Sequence, residues 1–409
     1  MQTQLADDIK STRIGEEADA ILRSCVHCGF CTATCPTYQA TGDELESPRG
    51  RIYLIKQMLE GNPVSHRTQR HLDRCLTCRA CETTCPSGVK YGRLVEIGRA
   101  YVDKKVGRTL PDIVIRKALR TLLPYPRRLA PLLKVAQLLK PLLPKSLKQK
   151  VPAVQSVPAS AATHHSRKMV ALAGCVQSAI KPGTHRAALK IFDRLGITLT
   201  TPPAAGCCGA VSYHLTQHEE GANFMRHNID AWWPLIDPAS ASPHEAILIT
   251  ASGCGTMVKE YGAILKDDPA YADKAALVSA LAKDPCEVVA NEDLSRLKLN
   301  PPAQKIAFQS PCSLQHAQQL NGRVEATLKQ LGFKLTPVPD GHLCCGSAGT
   351  YSVLQPEMAQ SLLNNKLAAL MSGAPDIIAT ANIGCQLQLE CKSTRPVKHW
   401  LELVAEAMV

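Results

Sequence analysis

The run Cys25-x2-Cys28-x2-Cys31-x3-Cys35-Pro36 returns 50 residues later as Cys75-x2-Cys78-x2-Cys81-x3-Cys85-Pro86. Few spacings limit a chain so tightly. Three thiolates this close together grip three irons of one cubane, and the fourth, after a wider gap, reaches the neighbouring cluster. The spacing therefore predicts two [4Fe–4S] clusters with crossed ligation. Cys25, Cys28, Cys31 and Cys85 would hold one, and Cys75, Cys78, Cys81 and Cys35 the other. Each proline biases the cysteine before it away from the helical region, which helps turn that thiolate toward the far cluster. Zinc also accepts four thiolates, but its sites are usually assembled from separate C-x2-C pairs.

The remaining ten of the 18 cysteines make compartment the next question. The N-terminal residues Met1–Asp8 lack a basic segment followed by an apolar one, so no signal peptide is expected. No uncharged apolar stretch approaches the ~20 residues of a membrane span. A reducing cytosol is therefore expected, where clustered cysteines favour metal or redox sites over disulfides. With 409 residues, 45% hydrophobic and 20% charged, the chain has room for two or three globular domains.

Thirty-nine residues separate the two cysteine runs. Within them Ser47-Pro48 reads as an N-cap followed by proline at the first helical position. Ile52, Ile55 and Leu59 then share one face, and Gly61 is the expected stop. This predicts an α-helical ferredoxin domain over residues 1–103. Arg49 and Arg51 on that helix are expected to be solvated. A basic, proline-punctuated connector follows over 104–166. Residues 101–150 hold thirteen Lys/Arg against Asp103 and Asp112, or +11 of the chain's +12. Charge confined to one segment argues against nucleic-acid binding. Its alternation of leucines with lysines and arginines suggests peripheral contact with an anionic membrane through 104–150, or with an acidic partner. Residues 151–166 read as a flexible linker, with His164 and His165 exposed.

The C-terminal half is duplicated. Cys175, Cys207-Cys208-Gly209 and Cys254 in the first copy answer to Cys312, Cys344-Cys345-Gly346 and Cys385 in the second, and the first interval is 32 residues in both. Short apolar runs alternating with helical patterns predict parallel α/β units at 167–300 and 301–409. The fold class is thus α plus α/β: a helical two-cluster domain followed by two Cys-Cys-Gly domains. Cysteines just past strand C-termini stand where open α/β sheets place their ligands. Four thiolates per copy suit a third iron–sulfur cluster or zinc. A decayed site or thiol–disulfide chemistry at the vicinal pair are the alternatives. Cys286 and Cys391 have no counterparts and are read as plain cysteines.

Taken together, Cys25 through Pro36, Ser47 through Tyr53, His71 through Cys78 and Cys81 through Gly88 resemble the iron–sulfur subunits of bacterial glycolate oxidase. The likeness extends over essentially the whole chain. Related iron–sulfur subunits serve glycerol-3-phosphate and lactate dehydrogenase systems and heterodisulfide reductases. The resemblance implies a complex in which separate flavin-binding subunits oxidise glycolate to glyoxylate. This chain would pass electrons from reduced flavin toward quinone at the cytoplasmic face of the membrane. The absence of a dinucleotide-binding glycine fingerprint or a nucleophile–base motif agrees with electrons arriving from elsewhere, so no catalytic residue is expected here. One departure stands out. Cys-Cys-Gly domains holding five-ligand, non-cubane clusters end in C-x2-C, whereas Met257 and Gln388 occupy those last positions here. A thiol-using disulfide reductase or a zinc-stabilised docking module are the competing readings.

Overall fold

The structure, a computed structural model, describes residues 1–142, 151 and 164–409. The proposed linker and the end of the basic segment therefore lie largely outside the described residues.

The N-terminal unit is helical, as expected. Its main helices are α1 (Arg13–Ser24), α2 (Pro48–Leu59), α3 (His66–Asp73) and α4 (Tyr91–Val106). Ser47 caps α2, its hydroxyl accepting the Gly50 N–H at 2.9 Å, and Gly61 follows in the left-handed region at φ 87°. Leu22, Ile55, Leu59, Leu72, Leu94 and Val95 form the buried core between these helices. The α2–α4 crossing is close because Gly98 faces Ile55; a Cβ there would lie 2.7 Å from Ile55 Cγ1. Helix α4 runs through residue 103 without a break.

The described part of the basic connector contains two helices, α5 (Leu110–Leu122) and α6 (Pro126–Leu138). Leu129 of α6 packs onto Ala179 and Ile180 of the first Cys-Cys-Gly copy. The concentrated charge is partly neutralised within the fold. Arg108 pairs with Asp73, Asp103 and Asp112; Arg116 pairs with Asp73 and Asp112; Arg120 meets Glu220. His165, expected to be exposed, is half-buried because its ring bonds Asp193 at 2.8 Å and its backbone N–H donates to Thr198.

Each Cys-Cys-Gly copy is built on a four-stranded parallel sheet. In the first, β1 (Arg167–Leu172), β2 (Ile197–Thr200), β3 (Ile247–Ile249) and β4 (Ala282–Lys283) lie in the order β2-β1-β3-β4. Strands β5 (Lys305–Gln309), β6 (Lys334–Thr336), β7 (Ile377–Thr380) and β8 (Val397–His399) repeat it as β6-β5-β7-β8. Register is matched as well: β1 sets Val170 beside Ile247, and β5 sets Ile306 beside Ile377. Parallel strands need helical crossovers that cover their faces. Helices α7 (Pro182–Arg194), α8 (His218–Ile236) and α9 (Ser252–Lys259) serve the first sheet. Helices α10 (Arg323–Gln330), α11 (Pro356–Met371), α12 (Ile383–Glu390) and α13 (Trp400–Ala407) serve the second.

The copies are not separate beads. One hydrophobic core joins Met169, Ile191, Phe192 and Leu248 to Phe308, Val324, Ala379, Trp400 and Val404. Helix α13 of the second copy packs on α7 of the first.

Candidate metal centres

The loops carrying the N-terminal cysteines are shaped by a backbone repeat. His27 and Gly29 have positive φ, and so do Thr77 and Arg79, each 50 residues on. Two left-handed residues in each loop curl the chain around a hollow. At Gly29 the conformation costs little, but at Thr77 and Arg79 it costs about 1–2 kcal/mol each. Arg79 is held by its ion pair with Glu260 of the first Cys-Cys-Gly copy.

Two adjacent cavities result. The first encloses about 430 Å³, part of it open to solvent, and is lined by Cys25, Cys28, Cys31, Cys81, Cys85, Arg49 and Tyr91. The second, about 300 Å³, is lined by Cys35, Cys75, Cys78 and Cys81, with Arg51 and Thr37. Cys25, Cys28, Cys31 and Cys85 line the first cavity, Cys35, Cys75 and Cys78 the second, and Cys81 lines both. Thr77 N–H and the Tyr91 hydroxyl donate to Cys75 Sγ at 3.3 and 3.5 Å, and Thr37 Oγ1 lies 3.3 Å from Cys35 Sγ.

Burial pushes the Cys31 thiol up to about 11 and holds Cys78 and Cys81 well above the usual thiol value. Such sulfurs stay ionised only when a metal supplies positive charge. Tetrahedral zinc would hold its sulfurs about 3.8 Å apart, given Zn–S near 2.3 Å. Among the described residues, the one trio of candidate ligand atoms all within 4.8 Å of each other is Asp43, Glu46 and His71, with no cysteine in it. Among the described residues, no three N-terminal cysteine sulfurs lie all within 4.8 Å of one another, a wider spread than one tetrahedral zinc ion would set. Glu46 itself already binds Arg51 at 2.6 Å and Arg74 at 3.1 Å, so that trio is an ion-pair network.

The expectation for Arg51 is overturned. It is 1% exposed, because Nη2 pairs with Glu46, Nε donates to the His71 carbonyl at 2.7 Å and Nη1 donates to Thr37. Arg49 remains half-exposed, bound through two nitrogens to Glu44. A surface helix pattern does not reveal that one of two neighbouring arginines turns inward.

In the C-terminal half the cysteines converge as the repeat predicts. Cys175 and Cys207 sulfurs are 3.6 Å apart, Cys207 also contacts Cys208, and Cys208 contacts Cys254. In the second copy Cys312 and Cys344 are 4.0 Å apart, and Cys345 bridges Cys344 to Cys385. The first and last cysteine of each set follow β1 and β3, or β5 and β7, where strand order reverses and open sheets form their crevice. Met257 is buried in the first copy's core, and Gln388 donates to the Ala359 carbonyl, so neither replaces a fifth thiolate. Cys286 is fully buried in the shared core, and the Cys391 thiol donates to the Leu387 carbonyl at 3.2 Å. Sequence reasoning missed Tyr91, Thr37 and the buried Lys366 near the second set; each is an ordinary residue type at an ordinary helical position.

Residues 21–89 match the family described as 4Fe-4S dicluster domain, and residues 169–259 and 306–390 match the cysteine-rich domain family. The chain is 53% identical over 410 aligned residues to the glycolate oxidase iron-sulfur subunit of Escherichia coli (strain K12), covering 100% of this chain and 99% of that one. It is 31% identical to the probable glycolate oxidase iron-sulfur subunit of Bacillus subtilis (strain 168), covering 90% and 88%. Lactate utilization protein A of Bacillus licheniformis is 25% identical over 53% of this chain and 87% of its own length. Two cysteine-lined cavities, a duplicated Cys-Cys-Gly half and likeness from end to end agree: the chain belongs to the glycolate oxidase iron–sulfur subunit family.

Proposed function

We propose that this chain is the electron-transfer subunit of a complex that oxidises glycolate to glyoxylate on a separate flavin-bearing subunit, and that it relays electrons toward a quinone. The observation that carries this reading is the pair of adjacent cysteine-lined cavities. Oxidising glycolate releases two electrons and two protons, whereas iron–sulfur clusters move one electron at a time. Clusters held in these two neighbouring sites would supply a pair of one-electron acceptors for the two electrons of a reduced flavin. Here Cys25, Cys28, Cys31 and Cys85 would ligate the first cluster, and Cys75, Cys78, Cys81 and Cys35 the second.

The chain's own residues fix those sites. The left-handed turns at His27, Gly29, Thr77 and Arg79 aim the thiols inward. Arg51 and Glu46 brace the wall behind Cys35 and Cys75. Cys28 is exposed, with Val26 and Phe30 beside it, and offers an opening for a donor at the first site.

Among the described residues, no helix is long and apolar enough to cross a membrane. Contact with a membrane would be peripheral, through α5 and α6, at the cytoplasmic face. Relatives named for lactate utilisation align with about half of this chain, which favours the glycolate reading.

The test is glycolate-dependent quinone reduction by the complex of this chain with its flavin subunits. Cys78→Ser is expected to lower the rate at least a hundredfold while bound flavin is still reduced by glycolate. Undiminished quinone reduction by that variant would exclude the relay.

A further inference from the structure

The two N-terminal cysteine loops are copies 50 residues apart, yet the fold covers one and leaves the other open. Leu76, next to Cys75, is 6% exposed and packs in one hydrophobic cluster with Tyr351, Ala359 and Leu362 of the second Cys-Cys-Gly copy. The Tyr351 hydroxyl donates to the Arg74 carbonyl at 3.0 Å, and Thr83 Oγ1 lies 3.0 Å from His316 Nδ1. Ala80, at the far side of that loop, is 1% exposed. The counterparts of Leu76 and Ala80 in the first loop are Val26 and Phe30, and they are 67% and 60% exposed. Among the described residues, none covers them as the second copy covers Leu76. The covered loop carries a small alanine where the open one holds a phenylalanine out to water.

Val26, Phe30 and the exposed Pro86 all line the first cavity, so they stand together around its mouth. Cys28 is exposed among them, whereas its counterpart Cys78 is half-buried in the cluster with Leu76. The cavity wall holds two basic side chains, His27 and Arg49, and no acidic one. The Arg49 charge is met by Glu44, through Nε at 2.8 Å and Nη2 at 3.0 Å. Covering this mouth would take apolar surface from water without stranding an unpaired charge. Aromatic side chains among apolar neighbours form the energetic centres of protein interfaces, and charges sit at the rim. Electron tunnelling weakens steeply with distance, so a donor must come close to one of the cluster sites. The first loop is the face where the chain's own domains do not intervene.

We infer that Val26, Phe30 and Pro86 are the seat of the flavin-bearing subunit, which covers the first loop as the second Cys-Cys-Gly copy covers the second. That subunit presents an apolar, uncharged patch here. The contact is a lasting subunit interface, not a charge-steered encounter with a diffusing carrier. Each passage moves one electron from the reduced flavin to the cluster on Cys25, Cys28, Cys31 and Cys85. No bond of this chain is made or broken, and the flavin's protons leave on the flavin subunit. The inference rests on the proposed relay and names its entry face.

The test measures binding of the full-length chain, prepared without oxygen and with its iron counted, to the flavin-bearing subunits of its complex. Phe30→Glu is expected to weaken binding about tenfold or more, and Phe30→Leu to restore most of it. Iron content and both cubane signals in electron paramagnetic resonance should persist in both variants. Raising salt from about 50 to about 500 mM should change the parent's affinity by less than about threefold. Should Phe30→Glu lose its iron, hydrogen exchange on the parent decides. Amides of residues 26–30 should then slow about tenfold or more when the flavin subunits bind, and those of residues 76–80, already covered, should not. Full affinity in an iron-replete Phe30→Glu chain, unchanged exchange at 26–30, or affinity that collapses with salt would each overturn the inference. Self-association that Phe30→Glu abolishes while flavin-subunit binding persists would give the face to a second copy instead. A parent chain without two cubane signals, or one that the flavin subunits do not bind at all, would overturn the reading beneath it.

Discussion

Arg51 and Glu46 are both essentially solvent-free, and neither charge would be tolerated there alone. Their 2.6 Å contact is supplemented by the His71 carbonyl and Thr37 on the arginine side, and by His71 Nδ1 and Arg74 on the glutamate side. Removing one member of a buried pair costs about 3–5 kcal/mol, because the survivor keeps its desolvation penalty without its partner. Arg51→Met is therefore expected to destabilise the N-terminal unit by about 3 kcal/mol, the lower end, since Arg74 still meets Glu46. The check is the urea concentration at which iron–sulfur absorption bleaches. Adding Glu46→Gln should recover part of the loss, and an unshifted midpoint would show that the pair is not what closes this wall. The ligand cysteines were legible in the sequence because ligation requires a residue type at a spacing. Arg51 was not legible, because an arginine one turn into a helix reads as solvated unless the loop folding over it is known.

At the scale of elements, α5 and α6 were recognisable as amphipathic, but part of the charge in and just before α5 turns inward. Arg108, Arg116 and Arg120 spend their guanidinium groups on internal carboxylates. The outward face is defined more by apolar side chains: Leu110 is 79% exposed and Leu138 is 80%, with Ile113, Val114 and Val135 also exposed. Exposed apolar residues flanked by the exposed Lys117, Arg127 and Lys134 make an interfacial surface whose binding draws on burial as well as charge. Full-length chain is expected to float with phosphatidylglycerol vesicles and not with phosphatidylcholine alone. Replacing Leu110, Val114 and Leu138 by glutamine should weaken that association about tenfold or more. Equal flotation by parent and variant would remove these helices from the contact. The strands β1, β3, β5 and β7 were legible because fully buried parallel strands are short apolar runs. The left-handed turns at Thr77 and Arg79 were not, since no glycine marks them; the contact of Arg79 with a domain 181 residues away holds the second in place.

Over the whole molecule, the duplication visible as repeated cysteines leaves open how the copies meet. They meet through α7, α13 and a buried histidine. His399, at the end of β8, caps α13 by accepting the Leu401 N–H at Nδ1, 3.2 Å, and its Nε2 donates to the Thr250 carbonyl of the first copy at 3.0 Å. Both nitrogens are satisfied by the neutral ring, and a second proton would find no acceptor at Nδ1. Burial accordingly pushes its pKa down to about 4. The unfolded chain binds that proton below about pH 6.5, while the folded chain resists it until about pH 4. Between those values the unfolded state holds more protons, so the contribution is fully present above pH 6.5 and is lost as pH falls toward 4. Over that window the loss amounts to about 3 kcal/mol. His399→Asn keeps a capping side chain and cannot titrate there. It should be less stable than the parent near pH 7, yet its unfolding midpoint should fall less steeply from pH 6.5 downward. His185, His244 and His316 are also depressed by burial and slope the same way, so the difference between parent and variant isolates position 399. Parallel pH profiles would mean that the seam between the copies does not depend on a neutral imidazole. A steeper profile in the parent would make that seam sensitive to acid.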